Sequence, residues 1–176
     1  MWVFGYGSLM WDNWENGYAC SRKCIALLRG YRRTFNKASS HNRGTKKAPC
    51  PTLNLEKEAA GTCKGMAFAF PDERRGDVLA YLGKREGADF QLELLSVRLD
   101  DDTEVQAHVP VYRGKNLISS AGLKEKAAMV RKAMGTESSC EDYVKEIAEL
   151  LSKLKIDDPA VTVLWQELQR QKLDNK

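Results

Sequence analysis

Two short strings in this chain carry residue types that could do chemistry. The first is Gly5-Tyr6-Gly7-Ser8-Leu9, reached through the apolar Trp2, Val3 and Phe4. Glycines at positions 5 and 7 let the backbone bend tightly and approach a ligand closely, so the N–H groups of such a turn can converge on an anion. Ser8 adds a hydroxyl or a helix cap. The same pattern describes a tight turn leaving an edge strand, and both readings stand on the residues alone. It is neither a dinucleotide fingerprint, which needs a third glycine, nor a P-loop, which needs a following Gly-Lys-Ser/Thr. The second string is Arg85-Glu86, closing a helical stretch. Glu86 by itself is a helix-terminal glutamate or a general base, and Arg85 pairs with a carboxylate or fixes the helix end. Tyr112 is either a half-buried strand tyrosine or a phenol turned to a ligand.

Other reactive types are present without the company they need. His41 and His108 have no visible nucleophile partner, and Cys50 and Cys63 show no Cys-His arrangement for covalent catalysis. Cys20 and Cys24 lack partners for a zinc site, so no metal is expected. Arg29, Arg32, Arg33, Lys37, Arg43, Lys46 and Lys47 crowd one segment with Tyr31, Phe35 and His41 between them. That segment fits a solvated face, the lining of a pocket for a small acidic ligand, or a nucleic-acid surface. No helix-turn-helix, zinc or RNP-type motif accompanies it, which argues against nucleic acid.

The elements that must position these residues follow from periodicity. Strands are expected at 2–6, 25–28, 31–35, 52–55, 62–70, 90–99 and 105–112, the last alternating Val105, Ala107, Val109 and Val111 with period two. Helices are expected at 72–84, 123–134, 139–155 and 159–172. Gly135 would stop the second, Ser139 with Asp142 would start the third, and Asp158-Pro159 would open the fourth. Tyr143, Ile147, Leu150, Leu151 and Leu154 form one apolar stripe suited to a core. Residues 39–51, rich in Ser, Asn, Gly, Lys and Pro, form a long loop of the kind that covers a site.

Strands in runs, rather than alternating with helices, argue against a doubly wound sheet. The expected fold is mixed α/β, a small twisted β-barrel flanked by helices, with 1–176 as a single domain: a β-rich part to about 115 and helices over 120–176. Hydrophobic residues at 43% and charged residues at 30% are ordinary globular values, and the net charge of +4 is mild. No apolar run is long enough to span a bilayer, and the start lacks the basic flank and cleavage site of a signal peptide. Five scattered cysteines suit free thiols in a reducing compartment. A cytoplasmic protein, a monomer or weak homodimer, without membrane or nucleic-acid partners, is the expectation.

The strings line up with a known family. Phe4-Gly5-Tyr6-Gly7-Ser8-Leu9-Met10-Trp11 and Tyr81-Leu82-Gly83-Lys84-Arg85-Glu86-Gly87-Ala88-Asp89-Phe90 resemble the ChaC-like branch of the γ-glutamylcyclotransferases, with its N-terminal Tyr-Gly-Ser-Leu turn and its Arg-Glu helix end. Between them, Leu28 to Phe35 is similar to the family's Gly-Tyr-x-Arg-x-Phe segment, and His41-Asn42-Arg43-Gly44-Thr45 to its His-Arg-Gly-Thr turn. Tyr112 follows a strand, as a family tyrosine does. The collinear match runs from Val3 to about Tyr112. Asn36-Lys37-Ala38-Ser39 stands where the family tends to carry Trp-Gln-Gly-Ser, and Phe90 where a tyrosine is usual; both departures bear on the leaving-group side of a substrate.

The resemblance implies a compact barrel with a pocket beside the turn, and cleavage of glutathione to 5-oxoproline and cysteinylglycine. The γ-glutamyl amine attacks its own γ-carbonyl, so no enzyme nucleophile or cofactor is required. It implies Glu86 as the base and the main chain of Tyr6, Gly7, Ser8 and Leu9 as an anion cradle. Tyr112 would stand near the amine or carbonyl. Arg43, with Arg32 or Arg33, is the cationic candidate for the glycine carboxylate. Another γ-glutamyl amide as substrate, or a catalytically silent binding module of the same fold, are the alternatives.

Overall fold

Gly30 decides how the sheet is built. Side chains are buried at Cys24, Ala26 and Leu28, and then, one residue out of step, at Tyr31, Arg33 and Phe35. A strand alternates with period two, so this change of phase needs one extra residue. Gly30 supplies it in the left-handed region at φ +78°. The two strands expected at 25–28 and 31–35 are therefore one in the computed structural model, which describes residues 1–174: β2, Arg22–Ser39. In the same way 52–55 and 62–70 belong to a single β3, Cys50–Ala69. With β1 (Trp2–Gly5), β4 (Phe90–Leu99) and β5 (Glu104–Tyr112) they close a barrel in the order β1-β3-β2-β4-β5. Four α-helices complete the mixed α/β fold: α1 (Arg75–Glu86), α2 (Leu123–Lys132), α3 (Cys140–Lys153) and α4 (Pro159–Asp174). No helix among the described residues is long and apolar enough to cross a membrane.

The chain divides into two units, Met1–Arg32 with Leu55–Gly114, and Arg33–Asn54 with Lys115–Lys176. In the first, β1 pairs antiparallel with β3 (Gly5 opposite Met66) and parallel with β5 (Val3 opposite His108). Val3 and Phe4 point to opposite faces and both are fully buried, so β1 is covered on both sides. Because β1 and β5 run parallel, Gly5 and Tyr112 finish at one end of the barrel. β4 starts at that same end, with Phe90 opposite Tyr112. Helix α1 buries Val78 and Leu82 completely, each contributing about 1.5–3 kcal/mol. Trp14 then fills the space among Phe68, Phe70 and Tyr81, at 5.4 Å between ring centroids in each case.

The second unit is held by helix packing and by closed polar contacts. Val144, Ile147 and Leu151 of α3 are buried with Ala127 and Val130 of α2 and Leu164 and Leu168 of α4; of the expected stripe, Leu150 and Leu154 stay partly exposed. The Asp142 N–H donates to Ser139 Oγ at 3.0 Å and caps α3, while the Val161 N–H donates to Asp158 Oδ1 at 3.3 Å at the start of α4, as the sequence led us to expect. Helix α2, however, stops at Lys132, before Gly135; the Cα of Gly135 instead lies against the backbone of Asn42, where a side chain would clash. The expectation of five free thiols is also corrected. Cys50 and Cys140 form a disulfide with a Cα–Cα distance of 5.5 Å, joining residues 90 apart that only the folded chain brings together, and Cys20, Cys24 and Cys63 are free.

Candidate active site

The turn after β1 begins with a close approach. A Cβ on Gly5 would stand 2.8 Å from Leu9 Cβ, so only glycine lets the chain fold back this tightly. Ser8–Met10 then make one turn of 3-10 helix, whose first return bond is from the Met10 N–H to Gly7 O at 2.9 Å. The N–H groups of Ser8 and Leu9 therefore lead the turn and have no acceptor within it. Leu9 is buried and its carbonyl accepts the Trp14 indole N–H at 3.0 Å, which anchors the turn on the aromatic cluster. Tyr6 is 5% exposed. The turn is thus tight, glycine-dependent and anchored, and it follows a barrel strand buried on both faces.

Glu86 is the last residue of α1. Gly87 follows with φ +87°, and its N–H returns to Gly83 O at 3.1 Å, a helix ending that favours glycine over any residue with a Cβ. The chain turns and enters β4 at Phe90, which puts Glu86 at the end of the barrel where β1 and β5 finish. Its side chain is 15% exposed, withdrawn from bulk water but not fully enclosed. Arg85 Nε lies 3.8 Å from Glu86 Oε1, and Arg85 Nη1 donates to Asp12 Oδ2 at 2.7 Å and to Tyr81 Oη at 2.8 Å. Burial works against the Arg85 charge, but the bonds to Tyr81 and Asp12 outweigh it and hold its pKa above the ordinary value. Arg85 therefore has the carboxylate partner that one reading of it called for, and it is also bonded to Tyr81 of its own helix.

Tyr112 is 5% exposed at the end of β5. Its hydroxyl donates to Asp89 Oδ2 at 3.4 Å, and its ring meets Phe90 edge-on at 5.2 Å. Tyr6, Gly7, Ser8, Leu9, Glu86 and Tyr112 thus all belong to the first unit and gather at one end of the barrel. Arg43 belongs to the second unit. Its guanidinium donates to Ser138 Oγ, pairs with Glu137 at 3.7 Å and lies over the Tyr143 ring at 5.5 Å. Arg33 is enclosed, with Nη1 2.7 Å from Asp158 Oδ2, and Arg32 pairs with Glu56 at 2.6 Å. His108 sits beside Arg75, its pKa lowered first by burial and then by that guanidinium.

Two residues at this barrel end were not singled out from the sequence. Asp12 follows the turn and takes the Arg85 guanidinium, and Asp89 takes the Tyr112 hydroxyl. Neither has a spacing signal of its own, because each meets its partner across the fold; Asp12 and Arg85 are 73 residues apart.

Known proteins share both the sequence and this architecture. The family model for ChaC-like proteins matches residues 1–171. "Gamma-glutamylcyclotransferase 2-3" of Arabidopsis thaliana is 33% identical over 174 residues, covering 93% of this chain and 86% of its own. "Glutathione-specific gamma-glutamylcyclotransferase" of Escherichia coli is 28% identical over 168 residues, covering 93% of this chain and 71% of its own. Among solved structures, a γ-glutamyl cyclotransferase specific to glutathione from yeast superimposes with a TM-score of 0.85, covering 97% of this chain and 96% of its own; at 18% identity this is a likeness of fold.

Proposed function

This chain belongs to the ChaC-like protein family, and we propose that it is a γ-glutamylcyclotransferase acting on glutathione, with Glu86 as general base. The observation that carries the reading is the partly withdrawn Glu86 carboxylate at the barrel end that also bears the leading N–H groups of the 3-10 turn. Relatives named for this activity support it over the length of the chain.

The cradle formed by Tyr6, Gly7, Ser8 and Leu9 takes the α-carboxylate of the γ-glutamyl group through main-chain donors. Glu86 removes a proton from the α-ammonium. The freed amine attacks the γ-carbonyl carbon, a new C–N bond closes the five-membered ring, and the original amide C–N bond breaks. The departing nitrogen, that of cysteinylglycine, takes up a proton, and 5-oxoproline remains. Both reacting groups lie in one molecule, so folding it into a productive shape supplies much of the acceleration, and no metal or cofactor has a step to perform. The Tyr112 phenol stands near the carbonyl as oxygen charge develops. In this reading the whole chain acts as a single cytoplasmic enzyme, a monomer or weak homodimer, whose partner is a small γ-glutamyl compound.

The test is incubation of the purified protein with glutathione, γ-glutamylcysteine, other γ-glutamyl amino acids and a neutral γ-glutamylamine, with 5-oxoproline measured directly. Release from glutathione at the highest kcat/KM is the expected outcome. Release only from another member of the panel moves the substrate to that compound and keeps the chemistry; no release from any of them overturns the reading.

A further inference from the structure

We propose that Arg85 is a positioning residue for the cyclisation, tying the helix end that carries Glu86 to the tail of the anion turn through Asp12. The inference rests on the reading of Glu86 as the base. Two tethers join these parts. On one side, Leu9 O accepts from the Trp14 indole at 3.0 Å, Trp14 stacks on Tyr81 at 5.4 Å and 11°, and Tyr81 accepts from Arg85 at 2.8 Å. On the other, Asp12 takes Arg85 at 2.7 Å through Oδ2 and accepts the main-chain N–H of Trp14 at 3.4 Å through Oδ1. Both routes end on Arg85.

The backbone shows that this arrangement is held in place. Asp12 and Asn13 have φ of +76° and +56°, two successive non-glycine residues in the left-handed region, a conformation that Asp and Asn enter when a local or tertiary contact holds them there. The bonds to the Asp12 carboxylate hold that bend. Helix ends fray, and Glu86 is a terminal residue, so its carboxylate keeps a fixed distance to the turn only where something outside the helix restrains it. The guanidinium serves Asp12 and Tyr81 through Nη1 while a second nitrogen, Nε, faces Glu86 at 3.8 Å; a lysine ammonium has one nitrogen and cannot hold both places at once.

A misplacement of about 1 Å at a reacting group can cost on the order of a hundredfold in rate. Arg85→Met is therefore expected to lower kcat for 5-oxoproline formation by about that factor while KM stays within about threefold, since the cradle donors are main chain. Asp12→Asn should produce a smaller loss of the same kind. The double variant should be no slower than Arg85→Met, because the two residues act as one unit. Arg85→Lys should remain about tenfold below wild type, and together with Asp12→Asn it carries the test if Arg85→Met does not fold. Additive losses, loss expressed in KM instead of kcat, or full activity in Arg85→Lys would overturn the proposal. Glu86→Gln measured alongside separates the two ideas. If it is inactive while the Arg85 and Asp12 variants turn over normally, positioning alone is wrong; if it retains wild-type kcat, the base assignment fails and takes the positioning role with it.

Discussion

Arg85 in the first unit and Arg33 in the second each hold an aspartate oxygen at 2.7 Å, and the two pairs do opposite things. Arg33 is fully buried, and its partner Asp158, 8% exposed, spends its other oxygen capping α4. Every group there closes on another, which is how a buried charge is tolerated. Arg85 is 18% exposed, and after serving Asp12 and Tyr81 it still lies beside a third group, the partly buried Glu86. An arginine–carboxylate pair is thus a brace where it is enclosed, and part of a candidate site where it stands beside a second carboxylate at the end of the barrel. Distance alone does not separate the two.

The comparison is broken most sharply at Glu86. Glu86→Gln keeps shape and removes the base, so kcat should fall by about 10²–10⁴-fold while the thermal midpoint stays near wild type. A variant retaining more than about a tenth of wild-type kcat would show that Glu86 is not the base.

The mirror experiment is Asp158→Ala. It leaves the Arg33 guanidinium buried without its carboxylate, a change that costs about 3–5 kcal/mol. Urea denaturation should show that loss, with KM for glutathione unchanged in the folded fraction. A destabilisation below about 1 kcal/mol would mean that the enclosed pair is not a brace.

Arg43→Ala gives the smallest effect and sharpens the boundary between the two kinds of arginine. Its hydrogen bond to Ser138 and ion pair with Glu137 predict a loss of about 1.5–3 kcal/mol at most, read as a lower thermal midpoint with KM unaltered. A raised KM for glutathione alone, with the midpoint held, would instead show that its charge recognises a substrate carboxylate.

Much of the architecture was legible because its signals are local. The four helices were expected within a few residues of where they lie, since apolar spacing and the caps at Ser139 and Asp158 act over one or two turns. β2 was not legible as one strand, because Gly30 shifts its alternation and an interrupted period reads as two elements. Gly135, taken for a helix stop, answers to a close approach of Asn42 that no local pattern encodes. Cys50 and Cys140 carried no pairing signal, as their 90-residue separation is bridged only by folding.

By itself the sequence determined the reactive types and the stiff local frames around them: a glycine-flanked turn after an apolar strand, a glutamate closing a helix before Gly87, a tyrosine ending an alternating strand. These depend on φ preferences and periodicity, which operate within a few residues. Only the tertiary structure decided which of them meet. The parallel pairing of β1 with β5 and the antiparallel pairing of β4 with β5 bring the turn, Glu86 and Tyr112 to one barrel end, and the same folding consigns Arg33 to the interior. Seven cations crowd positions 29–47, and nothing local distinguishes one guanidinium from the next; what separates them is the carboxylate each meets after the strands have paired.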